Sequence, residues 1–312
     1  MSISRVFTDA LIHEQVQNEN LQRGYLLTPD GGPNNDYLCK DTSWKTLLDE
    51  MHWEHRKQYG DGSGGELDEK NGRPPKMAAF ASSSRMIYNL SKEIPNFRFE
   101  EQLSTTVGGI ANMDGYREKD NTYIFVESKC REPYDHSVKQ AIKRNYQDIY
   151  KYLREKMPRV FSCVMEDIPD ADNGKEPQNK MNVVFFCQGR VVAYFDIKQM
   201  ICHLLGVVTK FLDSENDLIQ NLNVIQFLYL LYNPSKLEME DSDKAEVMRV
   251  FEDTCWMANY YHFEKMFGHV VDYLVELRNK NNKPVPDDTS IKKLKTAFDF
   301  KLCDQFDYHS YF

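Results

Sequence analysis

Two short segments combine acidic side chains with a lysine at spacings that suit hydrolytic chemistry. Asp114 lies in the polar segment 112–115, and Glu127 and Lys129 follow the apolar run 123–126. Because successive side chains on a β-strand alternate faces, Glu127 and Lys129 would point the same way, about 7 Å apart. A buried carboxylate and amine are costly to desolvate, so a site that needs Mg²⁺ and a proton-handling lysine explains them better than a core strand does.

The elements around these residues form a compact local pattern. The spacing of apolar residues predicts a helix over 77–94, which Pro95 ends, and strands over 97–105, 110–117 and 122–130. Three sequential strands after a helix predict a β-meander packed on that helix. A long helix is expected over 136–157.

The first of these strands offers two candidate accessory carboxylates, Glu100 and Glu101. Strand alternation would place them on opposite faces. We favour Glu100, because its predicted face also carries Arg98 and Gln102, whereas the Glu101 face carries apolar neighbours.

The order of helix, strand with Glu100, strand with Asp114-Gly115, turn, and strand with Glu127-x-Lys129 resembles the core of the PD-(D/E)XK nuclease superfamily, the restriction-endonuclease-like fold. The resemblance covers about 80 residues, Met77 to Met157, and departs from the superfamily's name at Met113, which precedes the aspartate. It implies an α/β fold with a mixed central β-sheet flanked by helices, and extra helices at both ends of the chain. It also implies a Mg²⁺-dependent hydrolase acting on DNA phosphodiester bonds, with a bacterial restriction or defence role by analogy.

The resemblance assigns chemistry to each residue of the motif. Asp114 and Glu127 would bind Mg²⁺ or Mn²⁺, which prefer oxygen ligands, together with the backbone carbonyl of Ser128. The metal would neutralise phosphate charge and lower the pKa of its bound water. Lys129 would orient that water or help to deprotonate it, and Glu100 would assist at the metal.

Simpler interpretations exist for each residue alone. Asp114-Gly115 is a common turn pair, and Glu127 and Lys129 could form the solvent face of an edge strand. The four residues together, between a helix and a basic segment, favour the nuclease-like site over these alternatives.

The helix expected over 136–157 carries many basic residues. Gln140, Lys143 and Arg144 are the candidate DNA contacts, because they lie nearest to the motif in sequence. A basic run of this kind is as often a solvated helix face, so both interpretations remain open here.

The rest of the chain suggests three regions: an N-terminal helical and loop segment (1–75), a nuclease-like core (76–235) and a C-terminal helical region packed on the core (236–312). Residues 60–75 form a Gly-rich polar insert that either links the first two regions or covers a cleft. Further expected elements are strands over 181–187 and 224–231, helices over 197–212, 238–261 and 262–278, and an exposed acidic loop over 163–180.

Composition sets broad limits. The chain has 312 residues, with 41% hydrophobic and 28% charged side chains, as in ordinary globular proteins. Its net charge of −9 weighs against a simple basic nucleic-acid coat but not against a nuclease with a local basic groove. The seven scattered cysteines contain no C-x-x-C pair, so we expect reduced thiols and a cytoplasmic protein. We expect no association with membranes, because no apolar run has spanning length.

Two other functions remain to be weighed against a nuclease. The same fold could serve as a non-catalytic module that binds nucleic acid or protein, or the acidic chain could be an interaction protein without affinity for nucleic acid. A homodimer is compatible with the nuclease hypothesis, because double-strand cutters of this fold are often dimers.

Overall fold

A five-stranded mixed sheet lies at the centre of the protein. The computed structural model describes residues 1–28, 30–62, 65–70, 72–135, 138, 140–167, 180–214 and 216–312. The strand order is β1-β2-β3-β8-β9, in which β1, β2 and β3 are antiparallel and β8 and β9 run parallel to β3. The expected mixed sheet flanked by helices is therefore present.

The helices and strands have the following bounds. The strands are β1 Phe97–Ser104, β2 Ile110–Lys119, β3 Thr122–Lys129, β4 Gln140–Lys143, β5 Ser162–Asp167, β6 Lys180–Cys187, β7 Arg190–Val191, β8 Val224–Leu231 and β9 Phe298–Asp304. The helices are α1 Ile3–Glu19, α2 Lys45–Glu50, α3 Trp53–Asp61, α4 Ser83–Ser91, α5 Glu132–Asp135, α6 Gln147–Lys156, α7 Ile197–Leu212, α8 Asn216–Asn221, α9 Asp241–Tyr260, α10 Phe263–Lys280 and α11 Asp288–Thr296.

Several elements agree closely with the sequence patterns. The three-stranded meander, the strand β8 and the helix α7 have the expected positions, because each carries a strong local periodicity and a clear terminus. The first helix of the core is shorter than predicted: Lys76–Ala78 forms a single 3₁₀ turn, and α4 begins only after Ser82, whose side chain accepts from the Arg85 backbone N–H and caps the helix.

The prediction of a long helix over 136–157 was wrong for the first half of that range. Residues 140–143 form strand β4, and only Gln147–Lys156 is α-helical. His136, Ser137 and Lys139 lie outside the described residues. The reason is tertiary pairing: β4 pairs antiparallel with β6, which a periodicity within one segment cannot reveal.

This pairing belongs to a second, smaller sheet. Its strand order is β4-β6-β5, and β7 pairs with β6. The acidic loop predicted over 163–180 therefore begins as strand β5, and residues 168–179 of that prediction lie outside the part of the chain that the structure describes. The small sheet is inserted between β3 and α7, immediately after the Glu127-x-Lys129 motif.

Each face of the central sheet is covered by a different helix. Ile124, Val126 and Leu228 face the side of α4, in a core cluster that includes Ile87. Leu103, Met113, Phe125 and Phe227 face the side of α7, in a larger cluster that includes Leu204 and Val207. The C-terminal region, predicted as helical, also supplies β9 at one edge of the sheet. No helix among the described residues is long and apolar enough to cross a membrane.

Candidate active site

Three carboxylates occupy one row across the meander. Phe99 pairs with Gly115, and Glu101 pairs with Met113, so Glu100 and Asp114 lie opposite each other on β1 and β2. The pairing of β2 with β3 runs as far as Gly115 and Val126, and the next residues of the two strands are Asp114 and Glu127. The register therefore sets Glu100, Asp114 and Glu127 at neighbouring positions on three adjacent strands.

The backbone is irregular at this row. Glu100 has a φ of 55°, in the left-handed region that a non-glycine residue adopts at a cost of about 1–3 kcal/mol. As a result, Arg98 and Glu101 lie on the same side and form an ion pair at 3.0 Å. The alternation used to group Arg98 with Glu100 is broken at Glu100 itself, so that part of the sequence argument was wrong.

Glu100 and Glu101 have different surroundings. Glu101 is balanced by Arg98 and by Lys210 of α7, at 3.9 Å. Glu100 lies beneath the Gly-rich insert, since a Cβ added to Gly62 would be 3.0 Å from the Glu100 Cβ. Burial, followed by the nearby Glu66 carboxylate, raises the pKa of Glu100 to about 7. Glu100 thus forms no ion pair with a described residue, whereas Glu101 forms two.

Asp114 connects β2 to β3 through its side chain. Its Oδ2 accepts from the backbone N–H and from the hydroxyl of Ser128, both at 2.7 Å. Burial and the charge of Glu127 raise the pKa of Asp114 well above its usual range, and Glu100 adds to the effect. Asp114 therefore favours its protonated form in the folded protein.

Glu127 and Lys129 form a buried ion pair. The Lys129 Nζ is 2.5 Å from the Glu127 Oε1, and Glu127 is only 1% exposed. Two side chains of α7 complete the group: the His203 Nε2 is 2.8 Å from the Glu127 Oε2, and Lys129 donates to the Gln199 Oε1 at 2.7 Å. Glu127 and Lys129 thus share one face, as strand alternation predicted.

The two charges of this pair stabilise each other. Burial alone would raise the pKa of Glu127, but the contacts with Lys129 and His203 outweigh it and lower that pKa. Burial likewise disfavours the charge of Lys129, yet the carboxylates of Glu127 and Glu132 hold its pKa well above the ordinary value. Lys129 is therefore a charged hydrogen-bond donor at neutral pH and a poor proton acceptor.

The first turn of α4 fixes two further carboxylates near the row. The Ser83 hydroxyl donates to Glu132, and the Ser84 hydroxyl donates to Glu66, at 2.7 and 2.8 Å. Glu66 also pairs with Lys76 at 2.8 Å. The sequence placed Glu66 in a flexible insert, because a lone acidic residue after Gly-Gly gives no reason to expect burial. Ser63, Gly64 and Asn71 of that insert are outside the described residues.

The residues of α7 were also missed as site residues. The sequence identified α7 only as a helix, and the clue it offered was Gly206 in the middle of that helix. A Cβ on Gly206 would be 2.8 Å from the Ala111 Cβ and 3.0 Å from the Leu103 Cβ. Only glycine lets the helix approach β1 and β2 this closely, which brings Gln199 and His203 within reach of β3.

The candidate DNA contacts have three different environments. Gln140 is 5% exposed, and its side chain contacts the backbone of Phe195 and Lys198, so it is a structural residue of the interior. Arg144 is exposed but paired with Asp167 at 2.7 Å. Lys143 lies on the solvent side of β4, directly opposite Lys180 on β6. Of the three, Lys143 retains the position expected of a phosphate contact.

Carboxylate oxygens are the type of ligand that a hard divalent cation prefers. The negative charge of Glu127 raises the pKa of both Asp114 and Glu100, and the Glu127 oxygens have ion-pair contacts but no hydrogen-bond partner among the described residues. No group of three or more His, Cys, Asp or Glu side chains within the described ranges has an arrangement that could hold a metal ion. Mg²⁺ commonly uses only one or two protein carboxylates and completes its shell with water and substrate phosphate.

Comparisons with known proteins add no assignment. The chain matched no protein-family model, no curated protein and no solved structure.

Proposed function

We propose that this protein is a metal-dependent nuclease that hydrolyses DNA phosphodiester bonds. The observation that carries the proposal is the row of Glu100, Asp114 and Glu127 across three adjacent strands, with the charged Lys129 beside it. Carboxylates that can bind a metal, with an ammonium fixed beside them, are the parts that metal-assisted hydrolysis uses.

The order of elements supports the same proposal. A helix, an antiparallel three-stranded meander, a crossover that contains α7, and a fourth strand parallel to the third follow one another along the chain. The PD-(D/E)XK resemblance implies the first part of this order, and it places the acidic residues and the lysine on the same strands. The fold alone does not define an activity, so the residues of the site decide the function.

Each residue has a defined task in this proposal. Asp114 and Glu127 would hold Mg²⁺ or Mn²⁺ with the carbonyl of Ser128, and the bound ion would supply positive charge and a more acidic water. Lys129 stays protonated and donates a hydrogen bond to the attacking water or to a phosphate oxygen. Glu100, with a pKa of about 7, is the carboxylate best suited to accept a proton near neutral pH.

A plasmid-nicking assay with defined variants tests the proposal. Wild type should nick supercoiled DNA with Mg²⁺ or Mn²⁺ and not with EDTA. Asp114→Asn and Lys129→Ala should each lower the rate by about 10²-fold or more, as the loss of a charge-stabilising group does. Glu101→Gln is the matched control and should retain activity. Equal background nicking by wild type and both site variants would overturn the proposal.

A second candidate function is a non-catalytic module that binds nucleic acid or protein. The observation that favours it is the complete pairing of Glu127 by Lys129 and His203, which neutralises the carboxylate without a metal. This alternative predicts DNA binding that is equal in Mg²⁺ and EDTA, with no cleavage in either. The absence of any salt-sensitive DNA binding would point to a protein partner instead.

A further inference from the structure

We propose that α7 positions the catalytic pair, with Gln199 directing the Lys129 ammonium and His203 directing the Glu127 carboxylate. This inference rests on the proposed nuclease function, because it concerns the same site. Gln199 and His203 are four residues apart and share one face of the helix. Glu127 and Lys129 are two residues apart and share one face of β3. Each residue of one pair contacts one residue of the other.

Gln199 accounts for one of the three N–H groups of Lys129. The ammonium donates to the Gln199 Oε1 at 2.7 Å and lies 2.5 Å from Glu127, which leaves one N–H for a water or a phosphate oxygen. Lys129 is 8% exposed, so its head group has little solvent to turn towards. A neutral amide fixes the ammonium without adding the negative charge that a carboxylate would bring.

Gln199 itself is held in place by the start of the helix. Its backbone N–H donates to the Asp196 Oδ1 at 2.9 Å, so Asp196 caps α7 and Gln199 lies in the first turn. The Gln199 backbone is therefore fixed by a capped helix terminus, from which its side chain reaches Lys129. A rigid support of this kind is what keeps a reacting group within a few tenths of an ångström of its working position.

His203 supports the other member of the pair. The imidazole is 2% exposed, and its Nε2 lies 2.8 Å from the Glu127 Oε2 as an ion-pair contact, while neither ring nitrogen has a hydrogen-bond partner among the described residues. The ring lies 6.0 Å from that of Phe227, centroid to centroid. Because the polar contact of this buried imidazole with a described residue is to Glu127, His203 fixes the position of that carboxylate.

Two measurements test the proposal. They compare wild type with Gln199→Leu, Gln199→Glu and His203→Gln, and Lys198→Ala is the control on the same helix. The first is the cleavage rate of plasmid DNA over pH 6 to 9. Gln199→Leu should lower kcat by about 10- to 100-fold and change KM little, as a misdirected group does. Gln199→Glu, which keeps the acceptor, should recover part of the rate and move the alkaline limb of the pH profile upward. His203→Gln, which keeps a donor, should lose less than about 10-fold.

The second measurement does not need nuclease activity. The intact protein is treated with acetic anhydride at several pH values, and acetylation of Lys129 is quantified by mass spectrometry. In Gln199→Leu the free amine should appear at lower pH, so Lys129 should react at least about 3-fold faster at pH 8. Lys198→Ala should match wild type.

The outcomes separate the two proposals. If wild type does not cleave DNA, the proposed function fails, and the labelling of Lys129 still decides whether Gln199 holds the ammonium. If Lys129 labelling and the pH profile are the same in wild type, Gln199→Leu and Gln199→Glu, the positioning role is wrong. Should Gln199→Leu fail to fold, the pH profile of Gln199→Glu still decides, because an alkaline limb at the wild-type position would show that residue 199 does not direct the ammonium.

Discussion

The Asp114 carboxylate takes the place of a backbone acceptor opposite Ser128. Its Oδ2 receives both the Ser128 backbone N–H and the Ser128 hydroxyl at the point where the β2–β3 pairing stops. One side chain thus closes the gap between two separating strands. The same side chain is the first candidate metal ligand, so its position is fixed by the sheet and not by the metal.

Replacing Asp114 by Asn should stabilise the protein at neutral pH. The pKa of Asp114 is raised in the folded state, so folding is favoured while the group is protonated, and stability is lost as pH rises above the ordinary aspartate pKa. Asn removes this loss and can still accept from Ser128 through its amide oxygen. We expect the melting temperature at pH 7.5 to rise by about 3 °C or more in calorimetry without metal.

The same comparison with MgCl₂ provides the control. Mg²⁺ should raise the melting temperature of wild type, because an ion that binds only the folded state stabilises it. Asp114→Asn should show a much smaller increase. A variant that is less stable than wild type at every pH would contradict the assigned electrostatic strain.

Glu100 should make stability depend on pH in the physiological range. Its folded-state pKa of about 7 exceeds the ordinary glutamate value, so the stabilising protonated form is present at low pH and is lost as pH rises through about 7. Glu100→Gln should match wild type near pH 4 and exceed it above pH 8. We expect a difference of about 2 kcal/mol in the free energy of unfolding by urea, after allowance for solvent screening.

Glu101→Gln is the neighbouring control for this experiment. Because Glu101 pairs with Arg98 and Lys210, its replacement should leave stability unchanged or reduce it slightly across the same pH range. If the two variants showed the same pH dependence, Glu100 would not be the strained carboxylate.

The parts of the site that the sequence predicted are those encoded locally. Glu127 and Lys129 share a face because they are two residues apart on one strand, and β8 and α7 follow from uninterrupted apolar patterns. The convergence of Asp114 with Glu127 required only that two sequential strands pair as a hairpin. Short-range geometry was sufficient for all of these.

The remaining features depend on contacts between distant segments. The left-handed backbone of Glu100 reverses the alternation of side chains between the two faces of β1, and no residue type in the sequence predicted it. Gln199 and His203 reach β3 only because α7 packs on the sheet 70 or more residues later in the chain. The segment containing Gln140 carried a helical pattern, but pairing with β6 made it a strand.

Gly206→Ala should destabilise the protein and weaken the support of β3 by α7. The added methyl group would meet the Ala111 and Leu103 side chains at 2.8 and 3.0 Å, so the helix would have to shift. Overpacking of this kind costs about 1–3 kcal/mol, which urea denaturation would measure. Lys129 acetylation should also become faster, as in Gln199→Leu.

Gly268→Ala is the matched control in another helix. A Cβ at Gly268 of α10 meets nothing within 4 Å, so alanine should raise stability by up to about 1 kcal/mol through its helix propensity. Opposite signs for the two glycine variants would confirm that close packing of α7 is the cause. A neutral or stabilising Gly206→Ala would show that the helix can adjust at little cost.

Lys143 and Lys180 should contribute to DNA binding through the small sheet. The two lysines are direct partners on β4 and β6, and both are exposed. Like charges in this position repel each other, and a phosphate between them would relieve the repulsion.

Each Lys→Ala change should weaken DNA binding several-fold in fluorescence anisotropy. It should also reduce the slope of log affinity against log salt by about 1, and the double variant should reduce it by about 2. Lys198→Ala, on α7, should leave the slope unchanged. Equal salt slopes for wild type and the double variant would exclude the small sheet from the DNA interface.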